Sequence, residues 1–332
     1  MLPQKLSGAS NIHLVHTSSP IEKEDISYFD TALKRLAFDY PNTKLFDVQR
    51  RDLDPRYLAA SEDERLRQFR KAIKNADAIF PIYGGTGCAD IIRRLTSRDL
   101  DDLARNRPLV IGFSDTTFLI NYLYFKLGLV TFHHSNMGGL YDSDANPAFF
   151  EMVRGERQSL ELCDKRNRWL ASGAPAAPVE GIAIGGNLEV FRDLLDICEI
   201  RPPSWRQYVL FLEDIDLDAE DFHRIIIALD SRGIFKNIRA LVIGRMDERA
   251  YASMSKKYDD IIGAPESQLH HLAEYLLQDV IAERKEAGDP LAILKVESLG
   301  HGVRGKRMVV PIGCKVLLKP DGCIEFIGPF VQ

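Results

Sequence analysis

The sequence predicts an α/β protein whose parallel sheets are covered by helices, and three observations carry that expectation. From Ile12 to about Phe132, short apolar runs alternate with amphipathic stretches at helical spacing. A second alternation of the same kind starts at Gly181. The chain of 332 residues also exceeds the size at which one hydrophobic core usually stops growing. Two α/β units are therefore expected, residues 1–141 and 181–332. The stretch 142–180 between them, with its charged residues and its Ser-Gly-Ala-Pro-Ala-Ala-Pro run, has the chemistry of a linker.

In the first unit, Ile12 to Val15 is a strand, and Ser18-Ser19-Pro20 leads into a helix near Glu22 to Phe38. Lys44 to Val48 suggests a second strand, and Glu62 to Asn75 carries Leu66, Phe69 and Ile73 at helical spacing. Ala76 to Tyr83 is a third strand that runs through Gly84-Gly85-Thr86-Gly87 into a helix at Ala89 to Leu95. The run from Pro108 to Ile111 stops at Gly112-Phe113-Ser114-Asp115 and passes into a helix at Thr116 to Leu127, followed by a strand at Leu129 to Phe132.

The second unit opens with a strand at Gly181 to Ile184, a turn at Gly185-Gly186-Asn187 and a helix at Leu188 to Ile197. Tyr208 to Leu212 is a strand ending at Glu213-Asp214. Phe222 to Arg232 and Gln268 to Glu286 read as helices, and Ala240 to Ile243 and Ile293 to Val296 as strands. Met308 to Ile312, Lys315 to Leu318 and Cys323 to Ile327 form a β-rich tail, with Pro320-Asp321-Gly322 as its hairpin turn.

Composition narrows the function classes. With 45% hydrophobic and 27% charged residues the chain is an ordinary globular sequence. A net charge of -5 offers nucleic acid or an anionic membrane nothing to hold, so a small substrate or peptide is expected. Cys88, Cys163, Cys198, Cys314 and Cys323 are scattered, odd in number and without a C-x-x-C pair. They argue against a disulfide framework or a zinc site, and a reducing cytoplasm is expected. The first residues lack the apolar core of a signal peptide, and no segment approaches the roughly 20 apolar residues of a membrane span.

Three polar features stand at the ends of strands, where open parallel sheets bind ligands. The turn at Gly112-Phe113-Ser114-Asp115 projects a hydroxyl from the sheet and leaves N–H groups at a helix start, as a nucleophilic serine requires, although Ser114 or Asp115 could simply cap the helix. Gly84 to Gly87 lacks the Gly-Lys-Ser/Thr of a Walker loop and is no G-x-G-x-x-G fingerprint. It suits an oxyanion hole beside Ser114, or packing alone. Glu213 ends an apolar strand, where a carboxylate needs a partner or a cleft, or else belongs to a solvated turn. His301, between Gly300 and Gly302, is a free-standing loop histidine or an aimed imidazole.

Together these give a nucleophile, an orienting acid and a general base in the chain order Ser114, Glu213, His301. The N–H of Asp115, with one from Gly84 or Gly85, is the expected oxyanion hole.

The same residues carry a family resemblance. The Gly-Gly-Thr-Gly run, Gly112-Phe113-Ser114-Asp115, Ile184-Gly185-Gly186-Asn187-Leu188, Phe211-Leu212-Glu213-Asp214, Gly300-His301 and Pro311-Ile312-Gly313 occur in the order found in the LD-carboxypeptidase family of serine peptidases, which includes the microcin C immunity proteins. The resemblance spans about Ile12 to Ile327. It implies a Ser-His-Glu triad on Ser114, His301 and Glu213, a flavodoxin-like first domain, a swivelling-type second domain, a homodimer, and no metal or cofactor.

Departures from the family pattern fall near the expected cleft: Tyr83 stands for the usual arginine, Thr86 for the tyrosine, and His133-His134-Ser135 for His-Gly-Pro. Thr86, Asn187, His133 and Trp169 are the candidate substrate contacts. Trp169 lies where the immunity proteins carry a ring that stacks on a base, though it could equally pack the linker against a domain. The adjacent histidines, pointing opposite ways in an extended segment and lacking a carboxylate or cysteine at ligand spacing, do not form a metal site. The implied substrate is a murein tetrapeptide losing its terminal D-alanine; the alternatives are an aminoacyl-nucleotide analogue, or a small ligand bound without hydrolysis.

Overall fold

A computed structural model describes residues 1–46, 55–142, 145–170, 173–215, 217–246, 269–303 and 305–332. Strands β1 (Ile12–Val15), β2 (Lys44–Leu45), β3 (Ala78–Pro81), β4 (Leu109–Gly112) and β5 (Thr131–His133) form a parallel sheet in the order β2-β1-β3-β4-β5. Apart from β2 these strands are buried throughout, as a sheet covered on both faces demands. Of the expected strand at Lys44 to Val48, the last two residues lie outside the described ones. In this strand order the chain reverses direction between β1 and β3, and the ends of those two strands flank the crevice that doubly wound sheets use for ligands.

Helices α1 (Ile26–Asp39), α2 (Glu62–Asn75), α3 (Cys88–Ile92), α4 (Ser97–Asn106) and α5 (Thr117–Leu127) connect the strands. Ser61 caps α2 by accepting from the Glu64 N–H, and Thr96 with Asp99 forms a capping box on α4. Sequence reading missed α4 because its charged residues outnumber its apolar ones; the cap and a single buried leucine, Leu103, hold it.

A second sheet contains β6 (Ser159–Leu162), β7 (Arg168–Trp169), β8 (Val179–Asn187), β9 (Tyr208–Asp214), β10 (Ala240–Met246), β11 (Ala292–Lys295), β13 (Lys315–Leu318) and β14 (Ile324–Ile327), in the order β6-β14-β13-β8-β9-β10-β11-β7. Its middle, β8 to β11, is parallel, and both flanks are antiparallel. The segment expected as a linker is therefore partly built into the fold: it contributes β6, β7 and helix α6 (Ala148–Val153). The tail also divides. Strand β12 (Val310–Ile312) leaves the second sheet and pairs antiparallel with β5 of the first, Val310 opposite His133.

The remaining helices are α7 (Leu188–Ile197), α8 (Ala219–Ser231), α9 (Ile234–Asn237), α10 (Leu269–Leu276) and α11 (Gln278–Glu286). One long helix was expected from Gln268 to Glu286. The chain instead breaks at Leu277 into α10 and α11, and Gln268 lies outside the described residues.

Cys163 and Cys323 form a disulfide across 160 residues of sequence, which corrects the expectation of unpaired cysteines. The physical reason is register. Leu162 faces Ile324 where β6 and β14 run antiparallel, so the residues just beyond that pair meet. Cys88, Cys198 and Cys314 are free.

The sheets are joined through α5. Asn121 accepts from the Gly185 N–H at 2.9 Å and donates to the Gly185 carbonyl at 2.8 Å, while the Thr117 hydroxyl accepts the Asn187 N–H at 3.1 Å. Buried on nearly every side from Thr117 to Leu123, α5 behaves as a core helix. Because α5 starts just after Ser114 and β8 lies beside β9, this joint brings Ser114 and Glu213 to the same region. Among the described residues, no helix is long and apolar enough to cross a membrane.

Candidate active site

Ser114 sits where β4 turns into α5. Phe113 is extended (φ −161) and Ser114 takes a left-handed backbone (φ 58), uncommon for a residue with a side chain and costing about 1–2 kcal/mol. Neighbours hold the turn closed. The Phe113 N–H donates to the Thr116 hydroxyl at 2.7 Å, that hydroxyl lies 2.8 Å from Asn136 Oδ1, and the Asn136 amide donates to the Phe113 carbonyl at 3.1 Å.

The glycine loop after β3 lies against this turn. A Cβ placed on Gly84 would stand 3.0 Å from Ser114 Cβ and 3.2 Å from its Oγ, so a side chain there would crowd Ser114. Ser19 secures the loop: its N–H donates to the Gly84 carbonyl and its hydroxyl accepts the Thr86 N–H, each at 3.0 Å. Among the described residues, the N–H groups of Gly84, Gly85 and Asp115 have no partner, so they are available to an oxyanion near Ser114.

Two buried charges tie the loop down. The Asp115 side chain accepts the Cys88 N–H at 2.9 Å, just past the glycines. Burial pushes its carboxyl up to about 6, against hydrogen bonds from Ser18 and Cys88 that favour the ionised form. Arg65, fully buried, donates to the carbonyls of Thr17, Ala60 and Gly87 and pairs with Asp90 at 2.7 Å. Arg65→Met would orphan those carbonyls at once. We expect it to lower the unfolding free energy by about 3 kcal/mol or more in denaturant titrations.

Glu213 and His301 come from the second sheet. Glu213, near the end of β9, is wholly buried, and its Oε2 accepts from His301 twice, at 2.7 Å from Nδ1 and at 3.1 Å from the backbone N–H. Gly300 allows this (φ 112), since a Cβ there would lie 2.8 Å from Glu213 Cβ. The other oxygen, Oε1, is 3.6 Å from His133 Nε2. Burial alone would push the Glu213 carboxyl up. The charge of His301 and its hydrogen bonds, with the His133 ring nearby, outweigh it and hold the carboxyl well below the usual carboxylate range. Burial likewise resists protonation of His301, but Glu213 prevails and raises it above the ordinary imidazole value.

The His301 ring stacks on Phe113, centroids 4.3 Å apart, which sets the imidazole beside the residue preceding Ser114. With Nδ1 on Glu213, Nε2 is the nitrogen left for a substrate or a hydroxyl. A hydroxyl on a strand–helix turn, an imidazole held by a buried carboxylate and backbone N–H groups without protein partners are the kinds of part that nucleophilic attack on a carbonyl uses.

Other candidates fall elsewhere. Thr86 is exposed, with its N–H on Ser19. Asn187 caps α7: Oδ1 accepts the Val190 N–H and Nδ2 donates to Asp214 at 2.7 Å, so both ends of its amide are occupied. Trp169, half-buried, pairs with Leu294 at the sheet edge, and its indole N–H donates to the Pro320 carbonyl at 3.0 Å. His133 is 1% exposed, with its Nε2 3.6 Å from Glu213 Oε1.

His134 points the other way, onto Phe149, and burial lowers its pKa to about 3. Sequence reasoning missed that His133 lies beside Glu213, 3.6 Å from an Oε1 that has no hydrogen-bond partner among the described residues. Among the described residues, one cluster has metal-ligand types, Glu161 with Cys163 and Cys323, and the disulfide removes its thiolates.

Comparison with known proteins agrees with this architecture. Residues 12–134 match the LD-carboxypeptidase N-terminal domain family and residues 180–318 the LD-carboxypeptidase C-terminal domain family. A Bacillus subtilis protein named "Probable murein peptide carboxypeptidase" is 25% identical over 73% of this chain and 73% of its own length. The Escherichia coli microcin C7 self-immunity protein MccF is 22% identical over 57% of this chain and 62% of its own. Among solved structures, MccF in complex with aspartyl sulfamoyl adenosine superposes with a TM-score of 0.75 at 17% identity, covering 100% of both chains. The muramoyltetrapeptide carboxypeptidase of Oxalobacter formigenes gives 0.71 at 21%, covering 97% and 99%.

Proposed function

The chain belongs to the LD-carboxypeptidase family of serine peptidases, and on that premise we propose that it removes the terminal D-alanine from a murein tetrapeptide, using Ser114, His301 and Glu213. The observation that carries this reading is the 2.7 Å bond from His301 Nδ1 to buried Glu213, with the same imidazole stacked on Phe113 beside Ser114.

Neutral His301 takes the Ser114 proton at Nε2 as Oγ bonds to the scissile carbonyl carbon. Glu213 holds the tautomer with the proton on Nδ1 and stabilises the imidazolium that forms. The N–H groups of Asp115 and of Gly84 or Gly85 receive the oxyanion, each such donor contributing about 3–4 kcal/mol in comparable sites. The imidazolium then returns its proton to the leaving amine as the C–N bond breaks. Water, deprotonated by the same ring, releases the acyl group and restores Ser114.

The competing substrate class is an aminoacyl-nucleotide analogue, for which Trp169, its indole N–H held by the Pro320 carbonyl, is the candidate stacking ring. Incubating the protein with murein tetrapeptide and, separately, with an aminoacyl sulfamoyl adenosine, and weighing the products by mass spectrometry, tests the choice. We expect D-alanine from the first. Cleavage of the second alone would overturn the substrate while leaving amide hydrolysis in place.

A further inference from the structure

We propose that Arg307 receives the free C-terminal carboxylate of the substrate and thereby limits the site to terminal residues, an assignment that rests on the serine-peptidase reading above. The side chain is 14% exposed, and its Nε is buried with no acceptor among the described residues. Its carboxylate neighbour is Asp142, whose Oδ2 lies 3.5 Å from Nη2, beyond the 2.7–2.9 Å typical of a charge-assisted hydrogen bond.

Arg65 shows the contrast, since each of its three nitrogens donates to an acceptor in the protein. A guanidinium so sheltered and so poorly paired is costly unless an anion completes it. Its position identifies the anion. The guanidinium carbon is 5.4 Å from the centre of the Phe113 ring, the ring that stacks on His301 and immediately precedes Ser114. Gly139 lies close by: a Cβ there would stand 2.4 Å from Ser135 Oγ, 3.3 Å from Asp142 Oδ2 and 3.4 Å from Nη1, so a side chain at this position would crowd the fork.

A planar carboxylate one residue beyond a bond held at Ser114 meets a planar fork able to grip it bidentately, displacing the long contact to Asp142. The negative charge would also offset the opposition of Arg307 to imidazolium formation on His301.

The test compares two peptides that differ only at the end, a murein tetrapeptide with a free carboxylate and its C-terminal amide. Wild type should prefer the acid in kcat/KM. Arg307→Gln should shrink that preference roughly 10- to 150-fold, the factor matching hydrogen bonds to a charged group. Arg307→Lys, which keeps the charge and loses the fork, should fall between. Both substrates are measured on one sample, so any unfolded fraction cancels from the ratio. A full preference in Arg307→Gln, or equal hydrolysis of acid and amide by wild type, would overturn the role of Arg307 and leave the serine-peptidase reading intact. If wild type cleaves neither peptide and Ser114 takes no phosphonate label, the reading itself fails and Arg307 with it.

Discussion

Replacing Glu213 with glutamine is expected to lower kcat/KM about 10⁴-fold while the protein still folds, the size of effect seen when an orienting carboxylate becomes an amide. The amide can turn its NH₂ toward His301 Nδ1, which then has to accept, and the proton moves to Nε2, the nitrogen that should take the Ser114 proton. The pH profile should move as well. Glu213 favours the imidazolium and raises His301 above its ordinary value of 6.5, so in wild type activity grows with pH and its midpoint lies above 6.5. Removing the carboxylate's charge should draw that midpoint down.

The same pair links stability to pH. The Glu213 carboxyl is depressed in the folded state, so its contribution is complete above the ordinary 4.5 and is lost on acidification. His301 is raised, so its contribution is complete below 6.5 and is lost as pH climbs through its folded value. The two together therefore stabilise most between about 4.5 and 6.5. In Glu213→Gln, the fall in thermal stability on either side of that window should flatten.

Ser114→Ala should be the most damaging single change, costing about 10⁶-fold in kcat, with the residual rate coming from binding and the oxyanion hole alone. The fold should survive. Alanine accepts the left-handed backbone at a cost similar to that of serine, and the bonds that close the turn belong to Phe113, Thr116 and Asn136. A melting temperature near that of wild type, together with lost turnover, separates chemistry from folding. Unimpaired turnover would remove Ser114 from the mechanism.

What the sequence revealed was local in its physics. A strand running into Gly112-Phe113-Ser114 and then a helix is written in consecutive residues, as are the glycines after β3 and the apolar runs of β8 and β9. What it concealed depends on partners distant in the chain. Strands β6 and β7 look like linker because their residues are polar, yet β14 and β11 hold them, and Cys163 meets Cys323 through the same pairing. Strand β12 reads as tail and closes the edge of the other sheet.

The second oxygen of Glu213 was equally out of view. Its neighbour His133 belongs to the first sheet, and nothing near either residue in the sequence announces the contact. Trp169 and Asn187 were drawn to the cleft by their place in motifs. The structure instead spends the polar groups of both on the Pro320 carbonyl, a helix cap and Asp214. Asp214 itself, pushed up to about 7 by burial and the adjacent Glu213, shows how closely two carboxylates are packed at the end of β9.

We propose Ser114 as an activated nucleophile, and its most direct test is reaction with a peptidyl phosphonate, followed by mass-spectrometric mapping of the adduct. We expect stoichiometric modification of Ser114, much slower modification in Glu213→Gln and none in Ser114→Ala. Wild-type protein that takes no label, or an adduct carried by another residue, would contradict it.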